Sequence, residues 1–441
     1  MDMRTGSLWS KIMIFSLPLM FSNVLQIVFN LSDIAIVGQF AGPIALGAVG
    51  STTILIALVV GLLIGMSQGV NALTALFIGG DDRENEHTAI HCGAFLCAVI
   101  GVSVCVLSLI LSKPVLELLG TKDELIEGAI IYFRVFMLGC PAMAMFNFGN
   151  AVLSATGETK KPLKYLVISG IINVILNLIF VICFHMSVVG VALASIISQY
   201  ISAVLVLRAL ITTTEHYKLT VKEIHFDSTI AKRILIISVP TAIQYTLFAI
   251  ANLFVQSAVN TFDHVIVEGN SAASNADNLV YELLAAFYTA CTSFVAQNYG
   301  AGIRERVKKA VIITTLYSFS IGLVLGILLY VFDEGFLSLF TGDPAVIAAG
   351  TLKLSVMSLS YCISVFMDNA IAAARGLGKT LVPTIIVIMG SVVFRITWIY
   401  TVFQHFHTVQ GLYLLYPIAW ALTAVAAMSY FVIQYRKIFK K

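Results

Sequence analysis

Twelve apolar segments run along this chain, each long enough to cross a bilayer, and a spanning backbone must satisfy its own polar groups as a helix or a closed barrel. The segments cover residues 12–39, 45–77, 89–111, 129–153, 165–184 and 188–211, then 234–259, 272–295, 310–332, 346–374, 381–403 and 412–432. They are of helix length, about twice what a barrel strand needs. Hydrophobic residues make up 59% of the 441 and charged residues 11%, which excludes a soluble domain of this size. The expected fold is an all-α integral membrane protein of twelve transmembrane helices. Cys92, Cys97, Cys105, Cys140, Cys183, Cys291 and Cys362 form no C-x-x-C pair. Most lie in apolar segments and read as small buried residues, not as a disulfide framework or metal site.

Lys and Arg alternate from side to side. With the N-terminus placed inside, 21 of the 26 lie in inner connections and termini, including Lys440 and Lys441 at the end. Only Lys113 and Lys122 lie outside, and Arg134, Lys353 and Arg395 fall within helices. The positive-inside rule then makes both termini cytoplasmic, in a plasma or inner membrane, with an even number of crossings. Arg4 and Lys11 before the first apolar run imitate a signal peptide. The run is too long for one, and the second half repeats it, so it reads as a helix of the mature chain.

The longest polar stretch, 212–229, separates an N-terminal six-helix lobe, 1–211, from a C-terminal one, 230–441. Residues 16–84 lie over 238–306 without gaps, matching Pro18 with Pro240, Asn30 with Asn252, Gly47 with Gly269 and Gly80 with Gly302. ATGETKKP (155–162) echoes GLGKTLVP (376–383). Both halves begin inside, so the repeats are parallel, an arrangement that places a cavity between two lobes of one chain. A monomer lying in the lipid bilayer is therefore expected.

The first segment carries Ser22, Gln26, Asn30 and Asp33 at steps of 4, 4 and 3, which puts them on one helix face. Lipid cannot satisfy that stripe, so it faces protein or water. A carboxylate inside a membrane helix costs about 2.5–3.5 kcal/mol, and a functional role is the default reading of Asp33. The other reading places it at the outer mouth as a cap. Gln26 and Asn30 become candidates for lining a substrate path, and Pro18 for a hinge, because proline removes a helical hydrogen bond. Counted at about 1.5 Å per residue, Asn177 and Ser195 lie at the depth of Asp33, with Asn173 one turn deeper. One carboxylate, two amides and a hydroxyl suit a proton or a monovalent hard cation; hydrogen bonding within a packed bundle is the alternative.

Val255 stands in the second half where Asp33 stands in the first. That half has Asp277, Glu282 and Asp368 instead, and depth pairs Glu282 with Arg395 and Asp277 with Lys353. Tyr281 and Tyr288 are candidates for lining a cavity and meeting a cationic ligand. GMSQG (65–69) matches G-x-S-x-G, but inside a spanning helix, where it also reads as G-x-x-x-G packing. ARGLGKT (374–380) has Ala373 where a phosphate loop needs its first Gly. No enzyme, no cofactor, no nucleic-acid partner and no metal beyond Na⁺ are expected, and energy should come from an ion gradient.

SLPLMFSNVLQIVFNLSDIAIVGQFAGPIALGAVG (16–50), LSATGETKKP (153–162), FVAQNYGAG (294–302) and ARGLGKT (374–380) together resemble the multidrug and toxic compound extrusion (MATE) family over essentially the whole length. The resemblance implies a V-shaped pair of six-helix lobes that exports small organic, often cationic, compounds in exchange for Na⁺ or H⁺. It places the family's first-helix carboxylate on Asp33, its bending proline on Pro18, and its N-lobe cation cluster on Asp33, Asn173, Asn177 and Ser195. Some members have Asp at the position of Asn177 and Thr at that of Ser195. A lipid-linked oligosaccharide flippase of the same superfamily is the second reading. It calls for a strongly cationic cavity, whereas only three basic residues lie within helices here. A non-transport scaffold or enzyme is the third.

Overall fold

A computed structural model describes residues 1–439; Lys440 and Lys441, counted above with the inner cations, lie outside the described residues. Among the described residues there are helices and no strand. We number the spans α1 (Leu8–Ile36), α2 (Gly42–Gly79), α3 (Arg83–Leu118), α4 (Asp123–Met137 continued by Cys140–Ala155), α5 (Lys160–Cys183) and α6 (Ser187–Thr212). The second half holds α7 (Ser228–Val259), α8 (His264–Gly300), α9 (Arg304–Val331), α10 (Pro344–Gly376), α11 (Leu381–Phe406) and α12 (Val409–Ile438). By length and composition ten runs can cross a membrane, or eleven with α4 counted as one bent span. The first run, Leu8–Gly79, is 72 residues long and contains both α1 and α2, each long enough alone, which brings the spans to the expected twelve.

Several helices outrun their apolar stretches because polar caps start them early. Asp82 accepts from Asn85 N ahead of α3, and Asp263 accepts from Ile266 N ahead of α8, satisfying donors that a helix start leaves open. Span α4 is bent by 43° where Leu138 and Gly139 interrupt it, and Pro141 stands in the first turn of its second segment. Four π-helical turns were not legible in the sequence: Val37–Ala41, Ile179–Cys183, Ile388–Val393 and Ile399–Phe403.

The chain forms two compact units. The first holds Met1–Asp2 and Phe21–Tyr245; the second holds Met3–Met20 and the residues from Thr246 onward. The repeats meet at the linker, but the compact units exchange the first parts of α1 and α7. In the first unit, Val70, Phe77, Ile90 and Phe148 form one core cluster, and Leu63, Tyr132, Phe133 and Met137 belong to another. In the second unit, Leu8, Ile12, Phe15 and Leu19 pack with Phe287, Phe294 and Tyr361.

GMSQG is a packing surface within the first unit. A Cβ on Gly65 would stand 2.5 Å from Ala242 Cα, and one on Gly69 would stand 2.0 Å from Ser238 Oγ and 2.6 Å from Ile234 O. Ser238 Oγ donates to Met66 O at 2.7 Å across this contact, while Ser67 Oγ donates back to Ile64 O in its own helix. The two glycines let α2 and α7 touch backbone to backbone, as small residues do between membrane helices. Gly69→Ala should force the helices apart and cost about 1–3 kcal/mol, the usual range for overpacking. Thermal unfolding in detergent measures this; an unchanged transition would show that the helices part freely.

Candidate functional site

The C-terminal half of α1 delivers Asp33 to a network on α5 and α6, all in the first unit. Asn177 Nδ2 donates to Asp33 Oδ1 at 2.5 Å, and Ser195 Oγ donates to Asp33 Oδ2 at 3.0 Å. Asn177 Nδ2 also reaches Asn173 Oδ1 at 3.3 Å, and Asn173 Nδ2 reaches Ser195 Oγ at 3.4 Å. Asn173, Asn177 and Ser195 are buried and Asp33 is half-buried. The structure thus brings together Asp33, Asn177 and Ser195, placed at one level by counting along straight helices, and Asn173, placed one turn deeper. Asn177 Oδ1 is buried without a hydrogen-bond partner. Tyr132 of α4, which sequence reasoning missed, lies within electrostatic reach of Asp33. It lies on the buried face of α4 with Ala129, Phe133 and Met137, but spacing along one helix does not say which neighbour that face meets.

The π turn Val37–Ala41 begins one helical turn beyond Asp33, and Ile179–Cys183 begins two residues beyond Asn177. The two π turns touch each other. Such turns leave the regular hydrogen-bond ladder and occur often at functional sites. On the rest of the α1 stripe, Ser22 is buried, while Gln26 and Asn30 are exposed.

In the second unit Asp277 is the centre of a separate network. Lys353 Nζ lies 2.7 Å from Asp277 Oδ2 and donates to Ser274 Oγ at 2.8 Å; the Tyr361 hydroxyl donates to Asp277 Oδ1. Lys353 also sits 5.7 Å from the Tyr413 ring, whose hydroxyl donates to Asn270 Oδ1 at 2.9 Å. The depth argument for Asp277 and Lys353 therefore describes a real contact.

The same argument fails for Glu282 and Arg395. Arg395 Nη1 donates to Asn252 Oδ1 at 3.0 Å, and the guanidinium lies 4.5 Å from the centre of the Tyr416 ring. The cause is local: Arg395 sits between the π turns Ile388–Val393 and Ile399–Phe403, and each extra residue per turn rotates the face that straight-helix counting assigns. Asp368 is half-buried with the Tyr288 hydroxyl beside it, so Tyr288 is an internal group, whereas Tyr281 is exposed.

His87, His91 and Glu223 bring three ligand-type atoms within 4.8 Å of one another, a grouping invisible in the sequence because Glu223 comes from the linker. His91 Nε2 already accepts the Thr220 N–H at 2.9 Å, and His91 Nδ1 faces His87 O at 2.7 Å. Both ring nitrogens are engaged, so the cluster fastens the linker to α3 and offers a metal no complete ligand set.

The MatE family model matches residues 18–179 and, a second time, 240–401. The chain belongs to the MATE family of transporters. The two matches begin at Pro18 and Pro240, the pair that aligns the repeats by sequence. Among similar proteins, the probable multidrug resistance protein YoeA of Bacillus subtilis is 26% identical, over 98% of this chain and 95% of its own. The probable multidrug resistance protein NorM of Thermotoga maritima is 25% identical over 84% and 80%. The FAD transporter of Shewanella oneidensis is 24% identical over 78% and 77%. Among solved structures, a MATE protein in the bent conformation superposes with a TM-score of 0.91 at 23% identity, covering 99% of this chain and 97% of its own. A MOP-superfamily transporter of Pyrococcus furiosus gives 0.93 at 23% identity, covering 100% and 98%. The MATE fold of this multi-pass membrane protein is thereby shown.

Proposed function

We propose that this MATE-family protein exports small organic compounds, often cationic, in exchange for Na⁺ or H⁺, and that Asp33 couples the two movements. The observation that carries this reading is the closed ring of Asp33, Asn173, Asn177 and Ser195 around one carboxylate in a spanning helix. Relatives named as multidrug resistance proteins support the substrate class. The chain works as a monomer with both termini in the cytoplasm, on the strength of the internal repeat and the Lys and Arg distribution.

The network has a second hydrogen-bonded state within reach of each ion. A proton on Asp33 Oδ2 reverses one bond, since the Ser195 hydroxyl can turn from donor to acceptor. Sodium as cargo instead requires oxygens, which the two amides supply if Asn177 turns its unpartnered Oδ1 inward. Uptake of a fluorescent organic cation into everted vesicles, under Na⁺ and H⁺ gradients imposed separately, tests the proposal. Accumulation under neither gradient overturns it. The flippase reading has no comparable support, because Lys353 and Arg395 are engaged by Asp277 and by Asn252 with Tyr416.

Pro18 supplies the moving part in this reading. It lies inside α1, leaves the Ile14 carbonyl without its helical donor, and stands two residues before the chain passes between compact units. Similar MATE proteins have been solved in conformations named bent and straight, which accords with a moving part in such a chain. Pro18→Ala should favour the straight helix by up to about 3 kcal/mol and slow efflux while leaving the fold intact. Initial rates at matched expression decide it; an unchanged rate removes the hinge role.

A further inference from the structure

A groove of about 420 Å³ lies between α9, α10 and α12 of the second unit. One end is basic: Arg304, Lys308 and Arg436 line it, against a single acid, Glu305. All three cations are exposed, and among the described residues none has a carboxylate partner. Arg304 Nη1 donates to Phe439 O at 3.2 Å, and its guanidinium lies 5.7 Å from the Tyr435 ring, which fixes it at the rim. The other end is apolar. Ile312, Met428 and Val432 are exposed there, with Phe366 and Phe431 half-buried behind them. Exposed apolar side chains on a spanning helix face hydrocarbon, so the groove has one wall in lipid and its basic end at the side to which Lys and Arg assign the cytoplasm.

We infer that this groove holds an anionic phospholipid of the cytoplasmic leaflet, its phosphate among Arg304, Lys308 and Arg436 and an acyl chain along Ile312, Met428 and Val432. The charge decides the class of ligand. Three cations against one acid repel the organic cations proposed as cargo and attract a phosphate, for which Arg offers paired donors and Lys a point charge. The apolar wall continues from the basic end into the span, which suits a molecule with a charged head and a hydrocarbon tail. This inference rests on orientation and groove chemistry, and stands apart from the coupling proposal.

Native mass spectrometry of the full chain, with phosphatidylglycerol and phosphatidylcholine titrated separately, tests it. Phosphatidylglycerol should be retained and phosphatidylcholine not. At about fivefold per cation near a membrane surface, Lys308→Gln should weaken phosphatidylglycerol by about fivefold, and the triple Arg304→Gln, Lys308→Gln, Arg436→Gln variant by about a hundredfold. The Lys308 side chain makes no hydrogen bond or ion pair among the described residues, so its single variant keeps the test sound if the triple variant unfolds. Equal binding of the two lipids, or undiminished phosphatidylglycerol binding by Lys308→Gln, overturns the site. Glycerol phosphate competing as well as the lipid would assign the groove to a soluble anion and overturn it too.

Discussion

Asp33→Asn is expected to fold, to bind substrate and to lose accumulation against a gradient. The amide keeps the shape of the carboxylate and can still accept from Ser195 or Asn177, so the network around it closes. It cannot change its charge. A fiftyfold gradient of the coupling ion, exchanged one for one, is worth about 2.3 kcal/mol and sustains about a fiftyfold ratio of substrate, whereas an uncoupled carrier holds a ratio of about 1. The fall is therefore from tens to unity in vesicles energised by whichever ion drives the wild type. Substrate counterflow should survive, because that exchange need not move the ion. Wild-type accumulation by Asp33→Asn under both gradients would make Asp33 structural and shift coupling to Asp277, Glu282 or Asp368.

Breaking the second network should act on stability first. Lys353 is buried, and Asp277 is the only carboxylate beside it among the described residues. Asp277→Asn strands that ammonium, at a cost of about 3 kcal/mol, the low end for a buried pair since Asp277 keeps some exposure to solvent. Replacing both, as Asp277→Asn with Lys353→Met, should recover most of the loss, because the stranded charge leaves with its partner. Unfolding in detergent for the two single variants and the double one completes the cycle. Additive losses would show that the two charges do not depend on each other.

How far the sequence reached follows from what helix counting assumes. Asp33, Asn177 and Ser195 came out at one depth, with Asn173 one turn deeper, and all four lie on regular stretches of α1, α5 and α6; the π turns that follow α1 and end α5 begin beyond them. Asp277 and Lys353 likewise lie on stretches of α8 and α10 free of π turns. Arg395 lies between two π turns and was misassigned. Tyr132 escaped because the period of α4 gives its buried face but not the helix that face meets, and Glu223 because linker contacts have no period to read. The repeat was legible through Pro and Gly, whose backbone roles tolerate little exchange, and twelve spans through apolar length alone. The exchange of half-helices between compact units leaves no mark in hydropathy, since both parts of α1 are equally apolar.

That exchange sets an order in time. Leu8, Ile12, Phe15 and Leu19 leave the ribosome long before Phe287, Phe294 and Tyr361, which complete the core they fill. Met3 N–H waits for Gln297 Oε1, and the Met3, Thr5 and Gly6 carbonyls wait for Arg306. The opening segment must therefore be inserted and held without its final neighbours while some three hundred residues are made, and such a non-local closure is the slow kind. A ribosome stalled before α8 would present a chain whose first helix is half finished. The membrane itself must shelter that half until the last core arrives.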